Sequence, residues 1–318
     1  MPQTASSSLA PGHGIHLVDA HYLRNRMAAV YLLQQGRNVA IIETGTARSV
    51  ETILQSLKDC HLGPDDVNYI IPTHVHLDHA GGAGLLMQHC RQARLVIHPY
   101  GARHMIDPAR LIAGAMAVYG QQQFQALYGT VTAVDADRVI EAPDNFELDF
   151  NGRILRFLDT PGHARHHFCI HDTQSNGIFS GDTFGLRYPE LDTPQGPFLF
   201  ATTTPVQFDP EAMLQSIDRL LSLAPERFYL THYGCLPVTD DLAEQLNNSI
   251  DAFTAIALEE QTPVENRITR IQQRLQEWLL EQLSRRGCRL ATDACLELLK
   301  TDIALNAQGL DVWLNKMS

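Results

Sequence analysis

The chain has 318 residues, 44% of them hydrophobic and 19% charged, the proportions of an ordinary globular protein. Its net charge is −12, and the eight Lys/Arg against seven Asp/Glu from residue 262 onward leave about −13 on residues 1–261; a field of that sign repels polyanions, so no nucleic acid is expected as substrate or partner. No run reaches the roughly 18 apolar residues of a membrane span, so no membrane partner is expected, and six cysteines without a C-x-x-C pair fit free thiols in a reducing, cytoplasmic setting.

Residues 1–14, MPQTASSSLAPGHG, have neither a basic start nor an apolar h-region and read as a flexible leader rather than a secretory signal. Residues 38–45, NVAIIETG, form a β-rich apolar run ending in glycine, and VNYIIPTH (67–74) is a second buried strand. Between them Ile53, Leu54 and Leu57 recur at helical spacing, with Gly63 as the stop. ARLVIHP (93–99) is a third strand, so the first hundred residues alternate strand and helix as layered α/β folds do.

From residue 107, DPARLIAGAMAVYG predicts a helix with Asp107 as N-cap and Pro108 at the first helical position. Strand-like segments return at 132–142, 145–150, 152–163, 167–172 and 177–182, before a helix over 210–224 and the strand RFYLTH at 227–232. Residues 183–209 read as a long irregular loop with four prolines and the aromatics Phe184, Tyr188, Phe198, Phe200 and Phe208; loops of this length are commonly lids or binding loops. From about 240 the pattern is helical to the end. The expected division is a leader (1–14), a core domain (15–239) and a helical C-terminal extension (240–318). The apolar and basic stripe of 263–286 predicts packing on the same chain or on a second copy, which allows a homodimer, with Trp278 and Trp313 as packing anchors.

Within IIPTHVHLDHAGG, residues 70–82, His74, His76, Asp78 and His79 crowd into six positions where a strand becomes a loop. Imidazole nitrogens and carboxylate oxygens are good ligands for zinc, iron or manganese when the backbone presents them together. His163 in DTPGH, Asp182 in FSGDT and His232 in YLTHYG also stand at strand-to-loop junctions, where α/β sheets place ligands. Seven donors, three and three with one bridging carboxylate, suffice for two ions. Cys235 reads as a buried thiol, and His13, His16, His21 and His61 have no ligand-like setting.

The order THVHLDH, TPGH, SGDT, THYG resembles the metallo-β-lactamase superfamily across about residues 15–235. The resemblance implies a four-layered αββα sandwich, here with an α-helical C-terminal extension. It implies that His74, His76 and His163 hold one divalent ion, that Asp78, His79 and His232 hold the other, and that Asp182 bridges them. Zinc is the first expectation, with iron or manganese as alternatives. The implied activity is hydrolysis of an ester-like bond (thioester, lactone or ester) of a small, partly apolar substrate by a metal-bridging hydroxide, with Asp78 and Asp182 as catalytic carboxylates. The alternatives are a phosphodiesterase or a metal-bearing regulatory protein with little turnover.

Where the family usually carries an aspartate, in the turn after an early strand, this chain has Glu43, expected to steady a ligand histidine; His167 is expected near the ligands. A helix over 107–129, the 183–209 loop and the C-terminal helices are expected to wall the substrate pocket, with Tyr119, Phe184 and Tyr188 as contacts and Met116, Phe198 and Phe200 nearby.

Overall fold

The computed structural model describes residues 12–317; residues 1–11, most of the expected leader, and Ser318 lie outside the described residues. The chain opens with β1 (Ile15–Asp19), β2 (Ala29–Gln35), β3 (Asn38–Ile42), α1 (Val50–Asp59), β4 (Val67–Ile71), α2 (Leu77–Ala80), α3 (Ala83–His89) and β5 (Arg94–Ile97). It continues through α4 (Pro99–Ile106), α5 (Ala109–Tyr119), α6 (Gln121–Tyr128) and β6 (Val139–Glu141). A second series follows: β7 (Glu147–Phe150), β8 (Arg153–Asp159), β9 (Phe168–Asp172), β10 (Gly177–Gly181), α7 (Pro210–Ser222), β11 (Arg227–Leu230) and β12 (Gly234–Pro237). Three long helices end the chain, α8 (Asp240–Glu259), α9 (Arg267–Arg285) and α10 (Thr292–Met317).

The strands form two six-stranded sheets, ordered β1-β2-β3-β4-β5-β6 and β12-β11-β10-β9-β8-β7. Their inner faces meet in a core of aromatic and branched residues, with Tyr31, Ile42, Ile71 and Val96 from one sheet against Phe157, Phe168, Phe179 and Tyr229 from the other. The outer faces are covered by helices, which gives the αββα layering. β3, β4, β5 and β6 run parallel, as do β10 and β11, while β8 and β10 share a direction because each is antiparallel to β9. The C-terminal ends of β3 and β4, and of β8, β10 and β11, therefore each open at one end of their sheet.

Helices form where caps and spacing direct them. Asp209 accepts the Ala212 N–H with Pro210 at the first position of α7, and Thr239 accepts the Leu242 N–H at the start of α8. Leu242, Leu246, Ile250 and Phe253 of α8 and Ile271, Leu275 and Leu279 of α9 are buried at spacings of three and four, in one apolar cluster that continues into the sandwich. The extension thus shares the apolar layer that covers the outer faces of the sheets. No helix among the described residues is long and apolar enough to cross a membrane.

Several local expectations are corrected. The helix from 107 begins one residue later, with Pro108 at the cap and Asp107 Oδ1 accepting the Ala109 N–H at 3.2 Å. It is also two helices, broken at Gly120, whose φ of 74° is left-handed. Of 132–142 only Val139–Glu141 pairs as a strand. β1, β2 and β12 are additional strands.

Candidate metal centre and its cavity

The strand ends place every histidine and aspartate of the motif. His74, His76, Asp78 and His79 follow β4, the last two inside the short turn of α2; His163 follows β8, Asp182 follows β10, and His232 lies between β11 and β12. His76 Nδ1 is 2.9 Å from His74 Nε2 and 3.0 Å from His163 Nε2. Asp78 Oδ2 is 3.7 Å from both His79 Nε2 and His232 Nε2. Asp182 spans the two groups, its Oδ2 3.4 Å from His163 Nε2 and its Oδ1 3.2 Å from His79 Nε2 and 3.6 Å from His232 Nε2. All seven residues so converge, in overlapping groups compact enough to hold metal ions.

The surroundings fix which nitrogen each histidine presents. A carboxylate and a carbonyl can only accept, so His79 Nδ1–H donates to Glu43 Oε1 at 3.0 Å and His232 Nδ1–H donates to Met27 O at 2.6 Å; each turns its Nε2 toward the cluster. Thr73 Oγ1–H donates to Glu43 Oε1 at 2.6 Å, so His74 Nδ1–H donates to the Thr73 hydroxyl at 3.1 Å. Glu43 also accepts the Thr73 N–H at 3.1 Å and the Thr231 hydroxyl at 2.9 Å. One buried carboxylate thereby ties together the loops carrying His74, His79 and His232. His167 Nε2 accepts the Asp182 N–H at 3.2 Å, and a side chain on Gly181 (φ 50°) would overlap that same imidazole.

A model of the metallo-beta-lactamase superfamily matches residues 23–232. The chain belongs to that superfamily. Among similar proteins is the metallo-beta-lactamase fold-containing protein ST1585 of Sulfurisphaera tokodaii, 27% identical over 234 residues that cover 70% of this chain and 80% of that protein. The hydroxyacylglutathione hydrolase of a Synechococcus strain is 27% identical over 202 residues, 61% of this chain and 58% of that protein. The acyl-coenzyme A thioesterase MBLAC2 of Homo sapiens is 26% identical over 190 residues, 54% of this chain and 63% of that protein. The crystal structure of the metallo-beta-lactamase family protein TTHA1429 from Thermus thermophilus shares the fold, with a TM-score of 0.64 over 96% of this chain and 94% of that one at 19% identity.

As in other members of the superfamily, the donor set suits divalent cations. Burial, then the positive charge of neighbouring histidines, holds the His74 pKa well below 6.5; burial, then His163, brings His76 to about 3, and burial brings His163 to about 4. These are neutral imidazoles with free lone pairs at pH 7. Burial opposes the charged form of His79, yet Asp182, Glu43 and Asp78 outweigh it and raise its pKa well above 6.5. Burial likewise favours a neutral Asp182, but His79, His163 and His232 hold it well below the usual carboxylate range. His79 Nε2 and Asp182 Oδ1 are buried with no hydrogen-bond partner, facing each other across 3.2 Å. A cation between them satisfies both, so the residues fit the two-ion site of the family.

The cluster opens into a cavity of about 370 Å³ lined by His76, Asp78, Asp182 and His232 at its base. Leu111, Ala115, Val118 and Tyr119 of α5 form one wall, with Val75, Leu77, Met27 and Leu186 beside them, and Thr301, Asp302 and Leu305 of α10 roof the other side. Helix α5 has no buried residue although it is almost wholly apolar, because its apolar side faces this cavity. Tyr119 is on the cavity as expected. Phe184 and Tyr188 are not: Phe184 stacks on Phe228 at 3.6 Å between ring centres, and Tyr188 is fully buried with its hydroxyl on Asp302. Phe198 and Phe200 are likewise in the core, because the 183–209 loop folds down onto the protein interior and leaves only Leu186, Thr202 and residues 204–207 at the cavity; Met116 of α5 packs against the core. Residues not read as cavity-lining from the sequence include His104, Arg110, His166, Tyr22, Tyr128 and Asp302.

Proposed function

We propose that the protein is a dinuclear metal-dependent hydrolase of acyl thioesters or esters whose acyl part is a hydrocarbon chain. The observation that carries the reading is the direct opening of the seven-donor cluster into a cavity walled by the otherwise unburied apolar helix α5. His74, His76 and His163 would hold one ion, Asp78, His79 and His232 the other, and Asp182 both. Divalent ions so held supply Lewis acidity and draw the pKa of a water toward neutrality. The chain's own residues do the rest. Glu43 and Met27 O fix the tautomers of His79 and His232, His167 holds the Asp182 backbone, and α5 receives the hydrocarbon and displaces water from around the scissile carbonyl. Similarity to an acyl-coenzyme A thioesterase and to a hydroxyacylglutathione hydrolase supports a thioester as the scissile bond. A phosphodiester fits less well, since its anionic oxygens gain nothing from apolar walls.

The test is metal analysis of the purified protein, then turnover of matched acyl thioesters, oxygen esters, lactones and a phosphodiester before and after chelation. About two ions per chain and thioester hydrolysis lost on chelation and regained with zinc, iron or manganese is the expected result. Turnover of the phosphodiester alone, or no turnover with two ions bound, overturns the reading.

A further inference from the structure

Asp302 lies in α10, well beyond the residues matched by the family, yet it lines the same cavity as His232. It is only 6% exposed, and both oxygens sit 3.0 Å from the Tyr188 hydroxyl, which donates its one proton between them. Among the described residues no cation forms a salt bridge with it; the Arg24 guanidinium lies 4.2 Å from the centre of the Tyr188 ring, stacked on the ring rather than paired with the carboxylate. Burial raises the Asp302 carboxyl to about 6, so at pH 7 to 8 it is a carboxylate and accepts only.

Its position is fixed by the seam that docks α10. Asn306 Oδ1 accepts the Thr203 N–H at 2.7 Å, the Thr203 hydroxyl donates to Asn306 O at 3.1 Å, and Gly309 lies so close to the Thr203 carbonyl that a methyl group there would overlap it. One turn earlier, Thr301, Asp302 and Leu305 face the cavity together. A carboxylate has about four acceptor sites, and Tyr188 supplies one proton. A hydrocarbon substrate that expels water from this wall strands the remaining lone pairs, unless the substrate brings a donor of its own.

Resting on the reading of the cavity as an acyl-ester site, we infer that Asp302 is a specificity-determining residue that selects substrates carrying a neutral N–H or O–H donor within a few atoms of the scissile group. A neutral donor fits better than an ammonium ion, because stripping water from an ammonium beside the apolar walls of α5 costs far more than stripping it from an amide or a hydroxyl. The substrate class is therefore an acyl chain joined through its ester or thioester to an amide-bearing or hydroxyl-bearing segment, or an acyl chain hydroxylated near its carbonyl.

The experiment is calorimetric binding to the metal-loaded full chain of non-hydrolysable decyl thioethers ending in acetamidoethyl, hydroxyethyl, aminoethyl or plain butyl groups. Wild type is expected to bind the amide or the alcohol about tenfold or more tightly than the butyl ligand, with the ammonium ligand behind them. In Asp302→Ala that ratio collapses to about twofold or less. Asp302→Asn, whose carboxamide oxygen still accepts from Tyr188, loses it too and covers the case in which the alanine variant fails to fold. Kinetics on the matching decanoyl thioesters should show the same preference mainly in KM. Equal binding of donor-bearing and butyl ligands to wild type overturns the inference alone, as does a preference that survives in both variants. Tightest binding of the ammonium ligand overturns the choice of a neutral donor. If no ligand of the set binds, the acyl-cavity reading falls and the inference falls with it.

Discussion

Glu43 is the most consequential residue outside the ligand set, and Glu43→Gln tests why. Its Oε1 accepts from the Thr73 hydroxyl at 2.6 Å, the Thr231 hydroxyl at 2.9 Å and His79 Nδ1 at 3.0 Å, while Oε2 accepts from the Thr73 N–H at 3.1 Å. Every partner donates, so replacing either oxygen by an amide NH₂ opposes donor to donor. With the amide oxygen kept on the Oε1 side, the Thr73 N–H is left unpaired in a buried site, which costs about 1–3 kcal/mol. His79 meanwhile trades a charged acceptor for a neutral one, a further loss of about 1 kcal/mol.

A total of about 2–4 kcal/mol falls on the three loops that carry His74, His79 and His232, and at 1.4 kcal/mol per factor of ten it amounts to about thirty- to seven-hundredfold in metal affinity. The lower end of that range agrees with the ten- to hundredfold typical of residues that orient metal-binding histidines. The assay is titration of the metal-free variant with zinc against a competing chelator, scored separately for the two ions. Both ions should weaken: the one His74 would help to hold through the unpaired Thr73 N–H, and the one His79 and His232 would hold through the lost charged acceptor. Wild-type affinity for both ions refutes the argument. Glu43→Asp is expected to fall between, since the shorter side chain cannot reach all four donors from the same backbone.

The cavity wall predicts a chain-length series: kcat/KM for straight-chain acyl thioesters should rise about fourfold per methylene, the equivalent of ~0.8 kcal/mol, until the chain outgrows the cavity. Val118→Asp or Leu111→Ser should flatten that slope while two ions still bind, and an unchanged slope would remove α5 from the substrate site. In metal-free protein the buried histidines set an acid limit. His76 and His163 have folded pKa values of about 3 and about 4 against about 6.5 unfolded, so the unfolded chain binds more protons below pH 6.5 and stability falls as pH drops toward 4. His79, with its pKa raised, contributes stability that is complete below pH 6.5 and so stays constant in this window. Urea unfolding at pH 5 should therefore show a loss of about 2 kcal/mol for each of the two histidines relative to pH 6.5, and a flat profile contradicts their neutrality. Gly309→Ala should cost about 3 kcal/mol, because the methyl group meets a backbone carbonyl that cannot rotate away, and it should depress melting temperature and acyl-substrate binding together.

The convergent histidine and aspartate cluster is legible in the sequence because its spacing is local. Four of the seven donors fall within six residues, and the other three follow apolar runs whose strand character is plain in Val, Ile, Phe and Leu. The alternation of strand and helix shows the layered class for the same reason. β2, AVYLLQQ, escapes because a short apolar run without alternation reads equally as a buried helix segment, and β1 and β12 are too short to show a period. The aromatics of 183–209 look like cavity residues in the sequence because composition alone cannot separate a binding loop from a loop folded into the core. Phe184 and Tyr188 settle into the interior where Phe228 and Asp302 receive them, partners 44 and 114 positions away along the chain.

Asp302 shows where legibility ends. In ELLKTDIALNAQGL an acidic residue among helix formers is an ordinary surface position, and nothing local marks it as facing a cavity. What could raise the question is its register: Leu299, Ile303, Leu310 and Leu314 define the buried stripe of α10, and Asp302 and Asn306 stand within it, four apart. Two polar side chains on a buried helical face must each find partners. Asn306 finds the backbone of 201–203; Asp302 finds Tyr188 and the cavity. The seven clustered donors therefore come from the ends of sheet strands, while α5 and α10, which lie off the sheets, line much of the rest of the cavity. Substitutions on those two helices should change KM and substrate preference while leaving two ions bound; if they instead strip metal, selection and chemistry are not separable in this protein.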